Sequence, residues 1–230
     1  MVDEINTAST LTYLDAYCER SGDASFWGEP LNAITNLAFI LCALMAYRLI
    51  KSIPDKRFKS MGDIWTLIFC MFAIGIGSGL WHTHTRPWTV IADIIPIYIF
   101  INVTIFSLTM RLLQFSWWQA LVIWLGFIML TIAFETGAPR DLLNGSVMYL
   151  PTYLMLGFII ALLSLKKHYK AWRDLTAILL VFTASLFFRT IDMEVCAQIP
   201  TGTHFLWHML NAWVLYSIVK LIADSKRAIV

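Results

Sequence analysis

Seven long apolar segments constrain the fold of this chain more than any other feature of its sequence. They cover residues 32–50, 64–81, 89–108, 117–134, 148–165, 175–188 and 203–223. A helix that crosses the hydrocarbon core of a bilayer needs roughly 20 mostly apolar residues. Six segments come close to that length. The sixth in order is shorter, so we expect it either to extend at one end or to be thinner where it meets a polar pocket. We therefore predict an all-α fold, a bundle of seven transmembrane helices joined by brief loops.

The composition supports a chain whose solvent is mostly lipid. Of its 230 residues, 59% are hydrophobic and only 14% are charged, whereas soluble domains carry about 25% charged residues. Ten Trp and eight Tyr suit a protein with two membrane interfaces, where amphipathic rings settle. The net charge of +2 and the lack of a basic run interleaved with aromatics argue against nucleic acid as a partner. No protein partner is evident from the sequence.

The polar and apolar parts of the chain predict its domain limits. Residues 1–31 are polar and acidic and lack the basic and apolar regions of a signal peptide. We expect them to form an extracytoplasmic arm ahead of the first helix. Residues 32–223 then form a single transmembrane catalytic domain, and residues 224–230 form a cytoplasmic tail.

The basic residues indicate how the bundle is oriented. With seven helices, 13 of the 17 basic residues fall on one side: Arg48, Lys51, Lys56, Arg57, Lys59, Arg111, Lys166, Lys167, Lys170, Arg173, Lys220, Lys226 and Arg227. The other side holds Arg20, Arg86, Arg140 and Arg189. The side rich in Lys and Arg is normally cytoplasmic. We therefore expect a multi-pass membrane protein with its N-terminus outside and its C-terminus in the cytoplasm.

Three histidines fall at the outer ends of two predicted helices. His204 and His208 are four residues apart near the start of the seventh helix, so they share one helical face. His82 ends the second helix, while His84 is expected in the loop beyond it. Three protein nitrogens that leave a fourth position open for water are the arrangement of a catalytic zinc site. Such histidines also occur as contacts to headgroups or other helices, but ionisable residues within membrane helices are usually functional.

Two further polar residues lie at the same predicted depth. Asp93 begins the third helix and can orient a water molecule or remove its proton. Ser78 is four residues before His82, hence on the same helical face, and its hydroxyl can donate to the oxyanion formed when water attacks a carbonyl. The five residues together predict a hydrolytic metal centre.

Several motifs resemble those of the alkaline ceramidase family. They are YCER at residues 17–20, GEPLNAITNL at 28–37, GIGSGLWH at 75–82, Asp93, RTIDMEVC at 189–196 and HFLWH at 204–208. They follow the family's order and are spread over most of the chain. The wider superfamily of seven-helix membrane hydrolases also includes the adiponectin receptors.

The resemblance implies both an activity and its residues. His82, His204 and His208 match the family's zinc ligands. Asp93 matches the aspartate that holds the water, and Ser78 matches the serine near the metal. The implied reaction is hydrolysis of the N-acyl bond of ceramide or a related lipid amide to a fatty acid and a long-chain amine. The lipid would enter laterally, and the site would face the periplasm or an organelle lumen.

The resemblance also implies a calcium site in the N-terminal arm. Two carboxylates, one backbone carbonyl and three neighbouring polar positions are its candidates: Glu19, Glu29, Tyr17, Ser21, Asp15 and Asp23. Ser21 stands where the family has asparagine, and Asp15 or Asp23 is expected to compensate. Clustered carboxylates also suit a hard cation on chemical grounds. A solvated acidic arm without a cation is the alternative.

The four cysteines divide into two pairs. Cys42 and Cys70 lie within predicted helices and are expected to be buried thiols. Cys18 and Cys196 both fall on the outer side, where an oxidising compartment permits a disulfide, and the resemblance points to the same pair. Arg189 and Asp192, just before Cys196, are candidates for a salt bridge.

Three other functions remain open at this point. The same site would serve a hydrolase of a different membrane lipid, such as an ester, a phospholipid or another N-acyl amine. A non-enzymatic seven-helix receptor would also fit the topology. A retinal protein fits less well, because it needs a lysine near the middle of its last helix and Lys220 lies close to the cytoplasmic end.

Overall fold

The structure, a computed structural model, describes residues 16–52, 61–139 and 141–227. Its main helices are α1 (Pro30–Lys51), α2 (Gly62–His84), α3 (Pro87–Arg111), α4 (Trp117–Gly137), α5 (Leu150–Leu165), α6 (Tyr169–Ile191) and α7 (His204–Arg227). Short 3-10 turns precede α5 and follow α6, and the described residues contain no strand. All seven spans, α5 with its preceding turn, are long and apolar enough to cross a membrane. This confirms the predicted fold class.

The sixth helix is longer than its apolar segment predicts. Hydropathy predicts residues 175–188, whereas α6 covers Tyr169–Ile191. Its first turns are polar and lie at the surface, where Lys170 Nζ pairs with Asp174 Oδ2 at 2.7 Å. Oppositely charged residues four apart stabilise a helix without contributing hydropathy. The polar extension is therefore invisible to a search for apolar residues.

The second helix also continues further than expected. His84, predicted to be a loop residue, is the last residue of α2, so that prediction is wrong. The helix ends at Thr85, whose backbone is left-handed with φ 46°, a conformation that commonly terminates helices. His84 is exposed and does not belong to the group of buried histidines described below.

The apolar core lies in one half of the bundle. We call the end at which α1, α3, α5 and α7 begin, and α2, α4 and α6 end, the arm end. Fully buried apolar side chains cluster towards the opposite end, among them Leu67, Ile105, Ile159 and Ile222. Large apolar side chains also cover the outer surface, as expected if it faces lipid; Phe69, Met129 and Leu180 are examples. The arm end, by contrast, buries polar groups.

A glycine brings α2 and α3 together at the arm end. A Cβ placed on Gly77 would lie 2.1 Å from the carbonyl oxygen of Ala92, so only glycine permits this approach of the two helices. Ser78 and Asp93 are the next residues on either side of this contact. The close packing therefore positions both of these predicted site residues.

Candidate metal centre

Three histidines converge at the arm end. His82, His204 and His208 are each no more than 1% exposed, and each offers a ring nitrogen within 4.8 Å of those of the other two. Both nitrogens of His204 and Nε2 of His208 have no hydrogen-bond partner among the described residues. Buried polar atoms are almost always satisfied in native proteins. One ring nitrogen from each histidine lies close to those of the other two, and the nitrogens of His204 and Nε2 of His208 have no partner among the described residues, so the cluster fits a metal ion.

The other nitrogens of two histidines are held by neighbouring side chains. His82 Nδ1 lies 2.5 Å from Glu29 Oε2, and His208 Nδ1 lies 3.0 Å from the Thr35 hydroxyl. A carboxylate or hydroxyl on the far nitrogen of a metal-binding histidine fixes the ring and its tautomer. Both partners come from the start of α1, so this helix orients two rings that belong to other helices.

An arginine ties the arm to the histidines. Arg20 is 2% exposed and donates from Nε to Glu29 Oε1 at 2.5 Å and from Nη2 to the His82 carbonyl at 2.8 Å. Burial raises the pKa of the Glu29 carboxyl, but His82 and Arg20 outweigh burial and hold this pKa below its ordinary value. Glu29 is therefore an ionised partner of His82.

Replacing Glu29 with glutamine is expected to weaken metal binding about 10- to 100-fold, the usual effect of losing the partner of a metal-binding histidine. The amide keeps an acceptor but removes the charge that holds the His82 ring. Competition with a chromogenic chelator measures the affinity. Glu194→Gln, an exposed acid near the same end, is the matched control and should bind metal like the wild type. Equal affinity in both variants would contradict this role of Glu29.

The loop before α7 is built around a buried aspartate. Asp192, which is fully buried, accepts backbone N–H bonds from Thr203 and His204 through Oδ1 at 2.7 and 2.9 Å. Gly202, with φ 61°, lies so close that a Cβ there would approach Asp192 Oδ1 to 2.1 Å. A carboxylate at the first N–H groups of a helix stabilises its start. Asp192 thereby fixes the position of His204.

The predicted disulfide is confirmed and joins the arm to this loop. Cys18 and Cys196 are bonded across 178 residues of sequence, and the Cys18 N–H donates to the second oxygen of Asp192 at 3.1 Å. The side chain of Tyr17 next to it packs on His204 with ring centroids 4.0 Å apart. The bond therefore holds a lid of arm residues over the histidines.

Removing this disulfide is expected to lower the free energy of unfolding by about 2–5 kcal/mol. The double substitution Cys18→Ser and Cys196→Ser frees the arm, and unfolding in detergent with and without reductant measures the loss. Reduced wild type should match the double variant. Cys42→Ser, which changes a free thiol on α1, should cost clearly less. Equal midpoints for oxidised wild type and the double variant would show that the bond does not stabilise the fold.

Ser78 and Asp93 lie beside the histidines. Ser78 is 1% exposed, and Asp93 lies near both Ser78 and His82. Neither Ser78 Oγ nor Asp93 Oδ1 has a hydrogen-bond partner among the described residues. A free hydroxyl and a free carboxylate oxygen next to the ring nitrogens are available to a water molecule or a substrate carbonyl.

A cavity of about 450 Å³ begins at this point. Its polar end is formed by Tyr17, Asp93 and His204, and its walls are mostly apolar side chains from α3, α4 and α5. Burial raises the pKa of the Tyr17 hydroxyl, although Arg189 opposes that shift, so this phenol stays neutral. A second, smaller pocket of about 50 Å³ shares the side chain of Ile97 with the cavity and continues towards Ile218. The volume and lining suit a small apolar ligand.

The residues predicted to bind calcium have protein partners where the structure describes them. Glu29 contacts Arg20 and His82 as above, and Glu19 accepts backbone N–H bonds from Leu31 and Asn32 at the start of α1. Burial raises the pKa of Glu19, although these bonds oppose the shift. A carboxylate at a helix start satisfies otherwise unpaired N–H groups. The calcium site stays a prediction.

The remaining members of that predicted set are spread along the arm. Asp23 accepts from the backbone N–H and hydroxyl of Ser25 at 2.8 and 2.9 Å, and Ser21 is exposed with φ 42°. Asp15 lies outside the described residues. Tyr17, predicted for its backbone carbonyl, contributes its ring to the cavity and to the packing on His204.

Sequence reasoning missed three residues that organise the centre. Thr35 and Arg20 contact the histidines across 173 and 62 residues, and no local spacing indicates either contact. Asp192 had a weak signal, because an acid precedes a turn and a helix start, yet it was considered as a partner for Arg189. Its oxygens instead bind backbone N–H groups, and no Arg189–Asp192 salt bridge forms.

No family model, curated protein or solved structure matches this chain. The support for a function therefore comes from the geometry of the histidine centre and its cavity.

Proposed function

We propose that this protein is a metal-dependent membrane hydrolase that cleaves the amide bond of ceramide or a related N-acyl lipid. One observation carries the proposal. Three buried histidines, whose ring nitrogens lie within 4.8 Å of one another, stand beside Ser78 and Asp93 at the polar end of an apolar cavity. This arrangement combines a metal site, a base and a lipid-compatible pocket in one place. The motifs that resemble alkaline ceramidases agree with it.

Zinc is the metal that the donor set favours. Three imidazoles with an open fourth position are typical of catalytic zinc, and Glu29 and Thr35 hold two of the rings in a fixed orientation. When bound, the ion would polarise the acyl carbonyl and make water a stronger nucleophile at neutral pH. Elemental analysis of purified protein identifies the metal, since imidazole also accepts iron, copper or nickel.

The chain's own residues then move the proton. Asp93 takes a proton from water as the water oxygen adds to the acyl carbon. Ser78 donates its hydroxyl to the oxygen that becomes negative. The C–N bond breaks when Asp93 returns the proton to the departing nitrogen, which yields a carboxylic acid and an amine. Ser78 is buried and Asp93 partly buried, and Ser78 Oγ and Asp93 Oδ1 have no hydrogen-bond partner among the described residues, so both oxygens are available to the substrate or to water.

The cavity supports a lipid as the substrate. Ile94, Phe127 and Met148 are among the apolar side chains of its wall, which fit an acyl chain rather than a polar metabolite. The helices around it are apolar on their outer faces, so a lipid would enter laterally from the bilayer. The excess of Lys and Arg at the opposite end supports an extracytoplasmic position of the centre, facing the periplasm or an organelle lumen.

Calcium in the arm is a separate part of the proposal. Glu19 and Asp23 lie in a segment that covers the histidines, and a hard cation there would stiffen it. A calcium titration of the zinc-loaded protein followed by isothermal calorimetry tests this point. No saturable change would remove calcium from the proposal and leave the zinc centre untouched.

A panel of lipids tests the activity. Purified protein with one equivalent of zinc is incubated with fluorescent ceramides, other N-acyl amines, esters and phospholipids, and the products are separated chromatographically. We expect a fatty acid and a long-chain base from ceramide, and no turnover after zinc is chelated. If esters or other amides were cleaved and ceramide stayed intact, the substrate assignment would be wrong and the assignment as a hydrolase would stand. No metal-dependent cleavage in the whole panel would favour a receptor.

A further inference from the structure

Arg189 is the one basic side chain that lines the cavity within the part of the chain that the structure describes. It lies in the last turn of α6. Its guanidinium carbon is 5.7 Å from the centroid of the Trp207 ring and 5.9 Å from that of Tyr149. Trp207 in turn stacks on His204, with an angle of 16° between the rings. The cation therefore stands one aromatic ring away from a metal-binding histidine.

This arginine has no anionic partner of its own. Among the described residues no carboxylate oxygen lies within salt-bridge distance of it. The guanidinium has a hydrogen bond with the neutral Tyr17 side chain, while its buried Nε has no hydrogen-bond partner among the described residues. Asp192, three residues further on, is occupied by backbone N–H groups. A charged residue inside a membrane-spanning helix is costly and usually functional. Aromatic faces offset only part of that cost.

The charges around the cavity favour an anion beside Arg189. Asp93 is a carboxylate of the same cavity, but it also lies near His82 and Ser78. With a divalent ion among the histidines, the ion and Arg189 together carry more positive charge than Asp93 can balance. The cavity's other carboxylate, Glu135, is engaged by the Tyr98 hydroxyl. The polar end of the cavity is therefore electropositive once metal is bound.

We propose that Arg189 binds the carboxylate of a free fatty acid whose chain lies along the apolar wall of the cavity. A planar guanidinium matches a carboxylate through charge-assisted hydrogen bonds. The apolar wall continues past Ile97 into the smaller pocket, which would receive the tail. This inference rests on the proposed function in one respect, because it takes the acid to be the product of that reaction. Arg189 would hold the acid after the amine has left.

Direct binding of radiolabelled palmitate to the purified, zinc-loaded protein in detergent tests the site without turnover. Arg189→Gln is expected to lower palmitate affinity about tenfold or more, as for loss of a hydrogen bond to a charged group. Arg189→Lys, which keeps the charge but not the planar fork, should lie between the two. Hexadecanol, which has the same chain and no charge, should bind equally to all three proteins.

Two control variants separate the contribution of Arg189 to palmitate binding from that of the metal and from a general effect of charge. Glu194→Gln removes an exposed charge near the same end, outside the cavity lining, and should not alter palmitate binding. His204→Ala keeps Arg189 and removes a metal ligand, so palmitate binding that depends on Arg189 should persist in part. If Arg189→Gln unfolds, a second measurement takes its place: the ¹³C NMR chemical shift of the palmitate carboxyl carbon, compared between wild type and Arg189→Lys. Identical chemical shifts in the two proteins would overturn the proposal.

The palmitate-binding and hydrolysis results together distinguish the Arg189 site from the metal site and from the proposed function. Palmitate affinity that falls with His204→Ala and not with Arg189→Gln would show that the metal alone holds the acid, and the site would be wrong. Dependence on Arg189 for a phosphate-headed lysolipid, with none for palmitate, would overturn the fatty acid as its ligand. Palmitate binding through Arg189 without any amide hydrolysis would overturn the proposed function and keep the site. Amide hydrolysis together with palmitate binding that does not depend on Arg189 would keep the proposed function and overturn the site.

Discussion

Purified His204→Ala protein is expected to contain no stoichiometric metal and to show no lipid hydrolysis above background. Neither ring nitrogen of His204 has a hydrogen-bond partner in the described protein, so alanine removes a metal ligand without orphaning another polar group. The loss of affinity should exceed the about 10- to 100-fold effect of removing a histidine's partner. Elemental analysis and the lipid assay measure both effects.

His84→Ala is the matched control for this variant. It removes an exposed imidazole two residues from His82 and should keep the wild-type metal content and rate. The His204 ring also packs on Tyr17 and Trp207, so His204→Gln, which retains more of that contact, separates packing from ligation. Full metal content in either His204 variant would mean that this histidine is not a ligand.

Asp93→Asn is expected to lower kcat about 10²- to 10⁴-fold, the range for loss of a general acid–base group, while the metal stays bound. The amide fits the same space but cannot accept the proton from water. Asp93 is not one of the residues whose ligand atoms form the cluster, so metal content should match the wild type. Single-turnover rates with zinc-loaded protein measure the chemical step.

The comparison variant is Asp141→Asn, an exposed aspartate near the same end of the bundle, whose rate should equal that of the wild type. A rate for Asp93→Asn within a few-fold of wild type would remove Asp93 as the base. Loss of metal together with rate would instead assign it to holding the metal site. The two residues are changed in the same way, so a general effect of removing negative charge is controlled.

The spans could be predicted because hydropathy is a local property. Each helix long enough to cross a bilayer contains its own apolar residues, and water-facing loops interrupt them. The polar extension of α6 and the wrong prediction for His84 have the same origin. The polar start of α6, stabilised by the Lys170–Asp174 pair, and the end of α2 at His84 depend on helix propagation beyond the apolar core.

The candidate site was partly accessible to the same kind of reasoning. His204 and His208 follow helical spacing, so a sequence shows that they share a face. The depth of His82 follows from the count of spans. The other roles do not follow, because side chains such as Glu29 and Thr35 act across 53 and 173 residues. Glu29 was predicted to bind calcium, and the structure places it against a histidine ring.

By itself, the sequence determined seven apolar helices, an i, i+4 histidine pair and a third histidine at the same depth, since these depend on composition and spacing along the chain. Only the tertiary structure decided which side chains orient the rings, that Asp192 starts α7, and that Arg189 lines the cavity without a carboxylate partner among the described residues. Those contacts join the arm and helices distant in sequence. Their partners are chosen by packing in three dimensions, which spacing does not encode.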